Sequence, residues 1–194
     1  MITPFMQKNE IELYSKYLKK AKNLFEFGAG NSTLYAETFS NIENIYSIDN
    51  DKKWCDHIRS TSSTNKINIT HIDTGPLHPS FGIPLNDTKF DDGDSLKQLQ
   101  PNYYNFIHNI DIDIDIDTIL IDGRWRVMCG IKTWEKFKEK DVTVIIHDYL
   151  DRKHMYGFLD NYYEIIESVG SLVVTKPKKE NIELDYSKYL FDWS

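Results

Sequence analysis

Acidic side chains follow the apolar runs of this sequence at the points where each run ends. Asp49 comes after one such run, Asp122 after another and Asp148 after a third, where His147 precedes it. A carboxylate whose pKa is raised by burial or by a neighbouring carboxylate can take the proton of a hydroxyl group, as can a neutral histidine. A carboxylate can also accept the hydroxyl protons of a ribose. These residue types predict a site that binds a nucleoside and activates an alcohol.

A glycine-rich turn precedes the first of these acids. The sequence EFGAGNST, which begins at Glu26, places Gly28 and Gly30 where a backbone must turn sharply and approach a ligand closely. Gly30 and Asp49 are separated by about the 20 residues typical of nucleoside-binding units. The turn matches neither the GxGxxG dinucleotide fingerprint nor the GxxxxGK[ST] triphosphate loop. A nucleoside without phosphates is the remaining ligand class.

The charge of the chain narrows the choice of nucleoside. Lysine and arginine number 23 against 30 aspartate and glutamate residues, so the formal net charge is −7. This sign disfavours a nucleic-acid or anionic-membrane partner and favours a cationic or neutral ligand. S-adenosylmethionine is an adenosine that carries a sulfonium, and its positive charge suits an acidic pocket. We therefore expect S-adenosylmethionine as cofactor and S-adenosylhomocysteine as its product.

Alternating strands and helices must position these residues, since apolar periodicity switches repeatedly along the chain. Strands are predicted at Asn23–Phe27, Ile45–Ile48, Ile67–Ile72, Thr118–Ile121, Val142–Ile146 and Ser171–Thr175. Helices are predicted at Glu10–Lys20, Ser32–Phe39, Lys52–Ser60, Met128–Lys138 and Tyr156–Val169, with Ser32 or Thr33 as a helix cap. The alternation predicts an α/β, Rossmann-like, doubly wound and mostly parallel sheet with helices on both faces. Ligands of such sheets bind beyond the carboxyl ends of the strands.

The chain length of 194 residues favours one domain, with an irregular insertion at about residues 74–101. The first 20 residues contain no apolar leader, and no segment approaches the roughly 18 consecutive apolar residues of a membrane span. Cys55 and Cys129 lie too far apart for a zinc knuckle, and we interpret both as reduced thiols. A cytoplasmic protein is expected.

Five segments together resemble class I S-adenosylmethionine-dependent methyltransferases. They are EFGAGNSTL, YSIDNDKKW, HIDTGP, LIDGRWRVMCGIK and IIHDYLDRKHMY. The pattern DGRxRVxCxxK followed by HDYxxR is similar, more narrowly, to small sugar and polysaccharide O-methyltransferases. The resemblance extends from the N-terminal helix to about Tyr156. It implies methyl transfer to a hydroxyl of a sugar or glycan.

The resemblance also implies a role for each matching position. It assigns the cofactor to Glu26, Gly28, Gly30, Asn31, Ser32, Thr33, Asp49, Asp73 and Asp122, with Asp49 at the ribose and Asp73 near the adenine. It places Asp122 at the methyl group, and Arg124, Arg126, His147 and Asp148 around the acceptor. Tyr104 and Tyr149 are further candidate acceptor contacts, and the insertion with Phe81, Gly82, Pro84 and Tyr103 would form part of the acceptor wall.

Transfer from a sulfonium is an in-line displacement, so the enzyme must align the nucleophile, the methyl carbon and the sulfur. Asp122 and Asp148 are the first candidates for the general base, with Asp122 preferred and His147 as the alternative. The same two carboxylates are candidate ligands for Mg²⁺ or Mn²⁺. Catechol-type O-methyltransferases, however, place an asparagine after the second aspartate where this chain has Tyr149. We therefore do not expect a metal cofactor.

Two other functions compete with this prediction. One is a metal-dependent, catechol-like small-molecule O-methyltransferase, and the other is a non-catalytic nucleoside-binding domain. The acids at the strand ends count against the second, because a site without chemistry has no need for buried like charges. The oligomeric state is left open by the sequence.

Overall fold

A computed structural model describes residues 2–77, 83–84, 98–111 and 114–192. Its centre is a seven-stranded sheet of order β3-β2-β1-β4-β5-β7-β6. The strands are β1 (Asn23–Phe27), β2 (Asn44–Asp49), β3 (Ile67–His71), β4 (Thr118–Ile121), β5 (Thr143–Ile146), β6 (Tyr163–Val169) and β7 (Leu172–Pro177). Strands β1 to β5 are parallel, and β7 is antiparallel to both β5 and β6. The predicted Rossmann-like, mostly parallel α/β fold is confirmed.

Helical residues occur at 98–99, and six α-helices with defined bounds accompany the sheet in the described ranges. They are α1 (Lys8–Leu18), α2 (Asn31–Glu37), α3 (Lys52–Thr61), α4 (Pro101–Asn105), α5 (Arg126–Phe137) and α6 (Lys153–Tyr156). Short 3₁₀ turns follow α4 and α6 and occur at Ser187–Tyr189. No helix within these ranges has both the length and the apolar character needed to cross a membrane.

The central strands have an apolar core on each face, which their alternating side chains explain. Leu24 points to one face, where it joins the core formed with α1 and α2, while Phe25 and Phe27 point to the core on the other face. All four residues of β4 are buried, as is usual for a parallel strand covered by helices on both sides. Glu26 shares the face of Leu24, so its carboxyl group enters the α1–α2 side of the sheet.

The predicted helix Tyr156–Val169 is wrong. The segment forms the end of α6, a 3₁₀ turn and then strand β6, which pairs with β7 through the two-residue turn Gly170-Ser171. Gly170 has φ +57°, the residue type and φ sign required at the first position of a type II′ hairpin turn. The aromatic and β-branched residues that suggested a helical period also favour strands, and the hairpin turn decides between the two.

Other element boundaries differ from the predictions by a few residues. Most of the predicted insertion, with Phe81 and Gly82, lies outside the described residues. Pro84 forms an isolated antiparallel bridge with Leu77. Both cysteines are free thiols and buried.

Candidate active site

The glycine-rich turn after β1 touches the turn after β4 through backbone alone. Gly28 has φ +89°, and a Cβ atom there would lie 2.4 Å from the Cα atom of Gly123. The amide groups of Gly28 and Ala29 donate to the carbonyl oxygen of Ile48, at 2.9 and 3.1 Å. Only glycine permits this approach, because the conformation is left-handed and a side chain has no space. The turn after β1 is thereby joined to the end of β2 and to the turn after β4, at one edge of the sheet.

Glu26 supports the turn from within the fold. Its carboxylate is fully buried and accepts hydrogen bonds from the hydroxyl groups of Ser32, Thr33 and, at 2.8 Å, Ser47. Burial raises the pKa of Glu26 to about 7; the charge of Asp122 adds to the rise and the hydroxyl donors oppose it. Glu26 therefore links β1, β2 and the first turn of α2.

The predicted cap of α2 needs correction. Gly30 is the N-cap residue, and Thr33 Oγ1 accepts a hydrogen bond from the Gly30 amide at 2.9 Å. Ser32 and Thr33 lie inside the helix, where their hydroxyls serve Glu26. Asn31 is the first residue of α2 and is exposed.

Asp49 ends β2 beside this turn. Burial raises the pKa of its carboxyl group to about 7, although the Asp51 amide, which donates to Oδ1 at 2.7 Å, and the charge of Arg124 oppose the rise. Trp54 Nε1 donates to the carbonyl oxygen of Ala29 at 2.7 Å, and the Trp54 residue remains 37% exposed. An indole thus stands at the rim between the glycine turn and Asp49.

An acid–histidine cluster, defined as Asp122, Arg126, His147 and Asp148, occupies the ends of β4 and β5. His147 Nδ1 lies 2.9 Å from Asp122 Oδ1. Arg126 forms ion pairs with Asp122 Oδ1 at 3.2 Å and with Asp148 Oδ2 at 3.0 Å. Asp148 has φ +59°, a strained conformation of the kind found at functional sites. The structure thus brings all three candidate catalytic residues together.

Glu10 extends the cluster from α1. Glu10 Oε2 lies 3.5 Å from His147 Nε2, and its Oε1 accepts from the Ser171 amide at 2.6 Å and from the Ser171 hydroxyl at 2.7 Å. Burial alone would lower the pKa of His147, but the hydrogen bond and charge of Asp122, together with Asp148, raise it. The two aspartates thus make the imidazole easier to protonate than a free histidine side chain.

The Asp122 side chain is one of two partly exposed members of the cluster, the other being Asp148 at 25%. Asp122 is 22% exposed, and both His147 and Arg126 contact its Oδ1 atom. In the part of the chain that the structure describes, no hydrogen bond reaches Oδ2. Oδ2 is therefore the Asp122 oxygen atom that receives no hydrogen bond from these residues.

Three side chains of the cluster are of the types that bind metal ions. Ligand atoms of Asp122, His147 and Asp148 lie within 4.8 Å of one another. Both carboxylates, however, already bind the guanidinium of Arg126, and His147 Nδ1 is used by Asp122. A divalent cation bound to the remaining carboxylate oxygens would lie beside the buried positive charge of Arg126, so the residues as arranged do not fit a metal.

The remaining predicted residues lie in different places. Arg124 acts electrostatically on Asp49, and it is therefore near the predicted ribose site. Asp73 is exposed after β3, and its Oδ1 atom accepts from the Gly75 amide at 2.9 Å. Tyr104 and Tyr149 are each 2% exposed and pack in the core, where the Tyr149 hydroxyl donates to Asp160 at 2.6 Å.

Two residues of the site, Glu10 and Trp54, were not predicted because no sequence pattern distinguishes them from ordinary helix residues. Glu10 is one acid among the polar residues of an amphipathic helix, and only the fold brings it to His147. Trp54 follows Asp49 by about one helical turn of α3, a spacing that packing against the sheet would equally explain.

Solved structures share this architecture. A methyltransferase-like protein from Silicibacter pomeroyi superposes with a TM-score of 0.79 at 22% identity, over 93% of this chain and 91% of that one. A provisionally assigned caffeoyl-CoA O-methyltransferase from Staphylococcus aureus gives 0.54 at 13% identity, over 89% and 85% of the two chains. An N-methyltransferase from Bradyrhizobium japonicum, solved with S-adenosylhomocysteine, gives 0.52 at 10% identity, over 90% and 88%. No protein-family model and no curated protein matches the sequence. The similarity to these solved structures shows that the chain has the class I methyltransferase fold.

Proposed function

We propose that this protein is an S-adenosylmethionine-dependent O-methyltransferase whose acceptor is a hydroxyl group of a sugar or glycan. The observation that carries the proposal is the convergence of three features at one sheet edge. These are the side-chain-free contact of Gly28 with Gly123, the carboxyl group of Asp49, and the Asp122–His147 pair. In this proposal the nucleoside binds beside the proton acceptor.

The cofactor half of the site consists of backbone, acid and indole. The glycine turn lets a ligand approach the main chain, and Asp49 at the end of β2 can accept both ribose hydroxyl protons. Trp54 at the rim offers an apolar surface beside them. S-adenosylmethionine, when bound, supplies a methyl group on a cationic sulfur, which Asp122 and the other acids of the edge favour electrostatically.

The acceptor half supplies a base. Asp122 Oδ2 accepts the hydroxyl proton while the new oxygen–carbon bond forms and the sulfur–carbon bond breaks, which leaves a methyl ether and S-adenosylhomocysteine. The proton then leaves Asp122 to solvent. His147 and Arg126 hold Oδ1, and this fixes the direction of Oδ2. Positioning of this kind can provide several kcal/mol of the barrier reduction, about 7 or more in favourable cases.

The acceptor class is supported by the segment DGRWRVMCGIK and the HDYLDR segment, which resemble sugar and polysaccharide O-methyltransferases. The fold itself is compatible with several acceptors, since O- and N-methyltransferases share it. The side chains around Asp122 must therefore provide the selectivity.

Calorimetric titration with S-adenosylmethionine and S-adenosylhomocysteine tests the cofactor. Micromolar binding is expected, and Asp49→Ala should weaken it by roughly 1.5–3 kcal/mol because charged hydrogen bonds are lost. Asp56→Ala is the matched control, since Asp56 is exposed on α3 and pairs with Lys52 and Arg59. Absence of binding to either compound would refute the proposal.

Methyl transfer to sugars, glycans and catechols, assayed with and without a chelator, tests the acceptor. Chelator-resistant methylation of a sugar hydroxyl is expected. Chelator-sensitive methylation of catechols would instead identify the metal-dependent alternative. Cofactor binding without turnover on any acceptor would indicate a non-catalytic nucleoside-binding domain.

A further inference from the structure

Arg126 lies between the two carboxylates of the acid–histidine cluster. The residue is 6% exposed, with Nη2 3.2 Å from Asp122 Oδ1 and Nη1 3.0 Å from Asp148 Oδ2. Arg152 also contacts Asp148 Oδ2, at 3.2 Å, but its side chain is 42% exposed and no bond joins it to Asp122. Arg126 is thus the buried cation that bridges the ends of β4 and β5.

The rest of the guanidinium is also surrounded by oxygen. Its Nε donates to the carbonyl oxygen of Gly123 at 3.0 Å, Nη1 to that of His147 at 2.8 Å and Nη2 to that of Asp122 at 3.2 Å. Two carboxylates and three carbonyl groups therefore converge on one positive charge. Carboxylate and carbonyl oxygens are the ligands that hard divalent cations take in proteins.

We propose that Arg126 is the resident cation of this cluster and occupies the position that a divalent metal would otherwise take. Its use in methyl transfer rests on the proposed function, whereas its occupation of a cation site does not. A guanidinium has no open coordination position, so it cannot bind and acidify an acceptor hydroxyl as a metal ion does. Proton removal is then left to Asp122, and Arg126 is a positioning residue.

Replacement of Arg126 by an uncharged side chain should accordingly create a metal site. In Arg126→Met, Asp122 and Asp148 keep their places at the strand ends but lose the shared positive charge. The probe is Mn²⁺, and its binding is measured by electron paramagnetic resonance and by calorimetry. We expect Arg126→Met to bind one Mn²⁺ at least about tenfold more tightly than the wild type, because removal of a buried like charge favours the ion.

Three variants control for indirect effects. Arg126→Lys retains the charge and should gain no Mn²⁺ site. Arg152→Met removes a cation from Asp148 but leaves Arg126 between Asp122 and Asp148, so it should also gain no Mn²⁺ site. Arg126→Met combined with Asp148→Asn should lose the acquired site.

Thermal unfolding gives a second readout. Mn²⁺ should raise the midpoint of thermal unfolding of Arg126→Met and leave that of the wild type unchanged.

Two results would overturn the proposal. The first is stoichiometric Mn²⁺ binding by the wild type that Asp148→Asn abolishes, since the site would then accept a metal beside Arg126. The second is a folded Arg126→Met that gains no binding. If Arg126→Met does not fold even with Mn²⁺, the wild-type titration decides between the outcomes. All these readouts are independent of turnover, so failure of the proposed function would leave them interpretable.

Discussion

Glu26, Asp49 and Asp122 are carboxylates at the ends of three neighbouring strands, and their surroundings differ. Glu26 is sealed inside the fold by three hydroxyl donors. Asp49 is partly exposed and receives an amide donor on one oxygen. Asp122 is bound on one oxygen by an imidazole and a guanidinium. Residues of one chemical type thus have different roles: Glu26 supports the turn, and in the proposed function Asp49 faces the nucleoside and Asp122 the acceptor.

Cofactor affinity should depend on the ionisation of Asp49. Its pKa is raised to about 7, and only the ionised form accepts both ribose hydroxyl protons. Binding should therefore strengthen about tenfold from pH 6 to pH 8, because the competent fraction rises by about that factor. Calorimetry at pH 6, 7 and 8 measures the change. Asp49→Asn should bind more weakly and lose the dependence; a variant that kept the wild-type slope would assign it to another group.

Turnover should depend on the charge of Asp122. Asp122→Asn preserves the shape of the side chain and removes the proton acceptor, so transfer should fall by roughly 100-fold or more. Cofactor affinity should stay within a few fold, as checked by titration with S-adenosylhomocysteine. Asp148→Asn is the comparison, since Asp148 is held by Arg126 and Arg152. A larger loss of turnover in Asp148→Asn than in Asp122→Asn would reassign the base.

At the scale of elements, the site exists because strand ends are joined by short backbone contacts. The turn after β1 is hydrogen-bonded to β2 and touches the turn after β4. Helix α1 reaches the same edge through Glu10, which also binds the β6–β7 turn at Ser171. Elements distant in sequence therefore set the positions of the reactive groups.

Gly28→Ala should separate the turns after β1 and β4. The added Cβ atom would lie 2.4 Å from Gly123 Cα at a positive φ, so we expect a loss of about 2 kcal/mol or more in the free energy of unfolding. Urea denaturation measures it. Gly30→Ala is the matched control, because its nearest contact is 3.7 Å and its φ of −167° is extended. Equal stability of the two variants would contradict the close approach.

At the scale of the whole molecule, buried acids make stability depend on pH in two opposite ways. Burial raises the pKa of Glu26 and Asp49 to about 7, so their contributions are present at low pH and are lost as pH rises from the unfolded values of 4.5 and 3.8. Hydrogen bonds to Glu10 and Glu37 outweigh burial and lower their pKa values, so their contributions are lost as pH falls below about 4.5. The free energy of unfolding should therefore be greatest near pH 4.5, which is the pKa of a glutamate in the unfolded chain.

Glu26→Gln should flatten the upper part of this profile. The free energy of unfolding of the wild type should decrease between pH 5 and pH 8, and Glu26 should account for roughly 2.5 kcal/mol of the fall. Glutamine keeps the shape of the side chain and one acceptor oxygen for the hydroxyl groups of Ser32, Thr33 and Ser47, donates through its amide nitrogen where the second oxygen was, and does not titrate. Urea denaturation at several pH values measures both proteins. An unchanged slope in Glu26→Gln would show that Glu26 is not the titrating group.

The sequence by itself determined the parallel part of the fold and the positions of the reactive groups along it. Buried runs such as Thr118–Ile121 end in acids, and parallel strands bring their carboxyl ends to one edge, so Asp49, Asp122 and Asp148 could be placed there in advance. The helix predicted from Tyr156 to Val169 was wrong because the apolar residues of this region fit both a helix and an edge strand. Pairing with β7 decides between the two.

Only the tertiary structure decided the partners of each group. The contact of Glu10 with His147 joins residues far apart in the chain, and Arg126, predicted at the acceptor, forms ion pairs with two carboxylates from different strand ends. Local patterns specify which face a residue takes but carry no distance to residues on other elements. Burial, hydrogen bonding and charge pairing depend on those distances, and they set the protonation states and the cation on which the proposed chemistry depends.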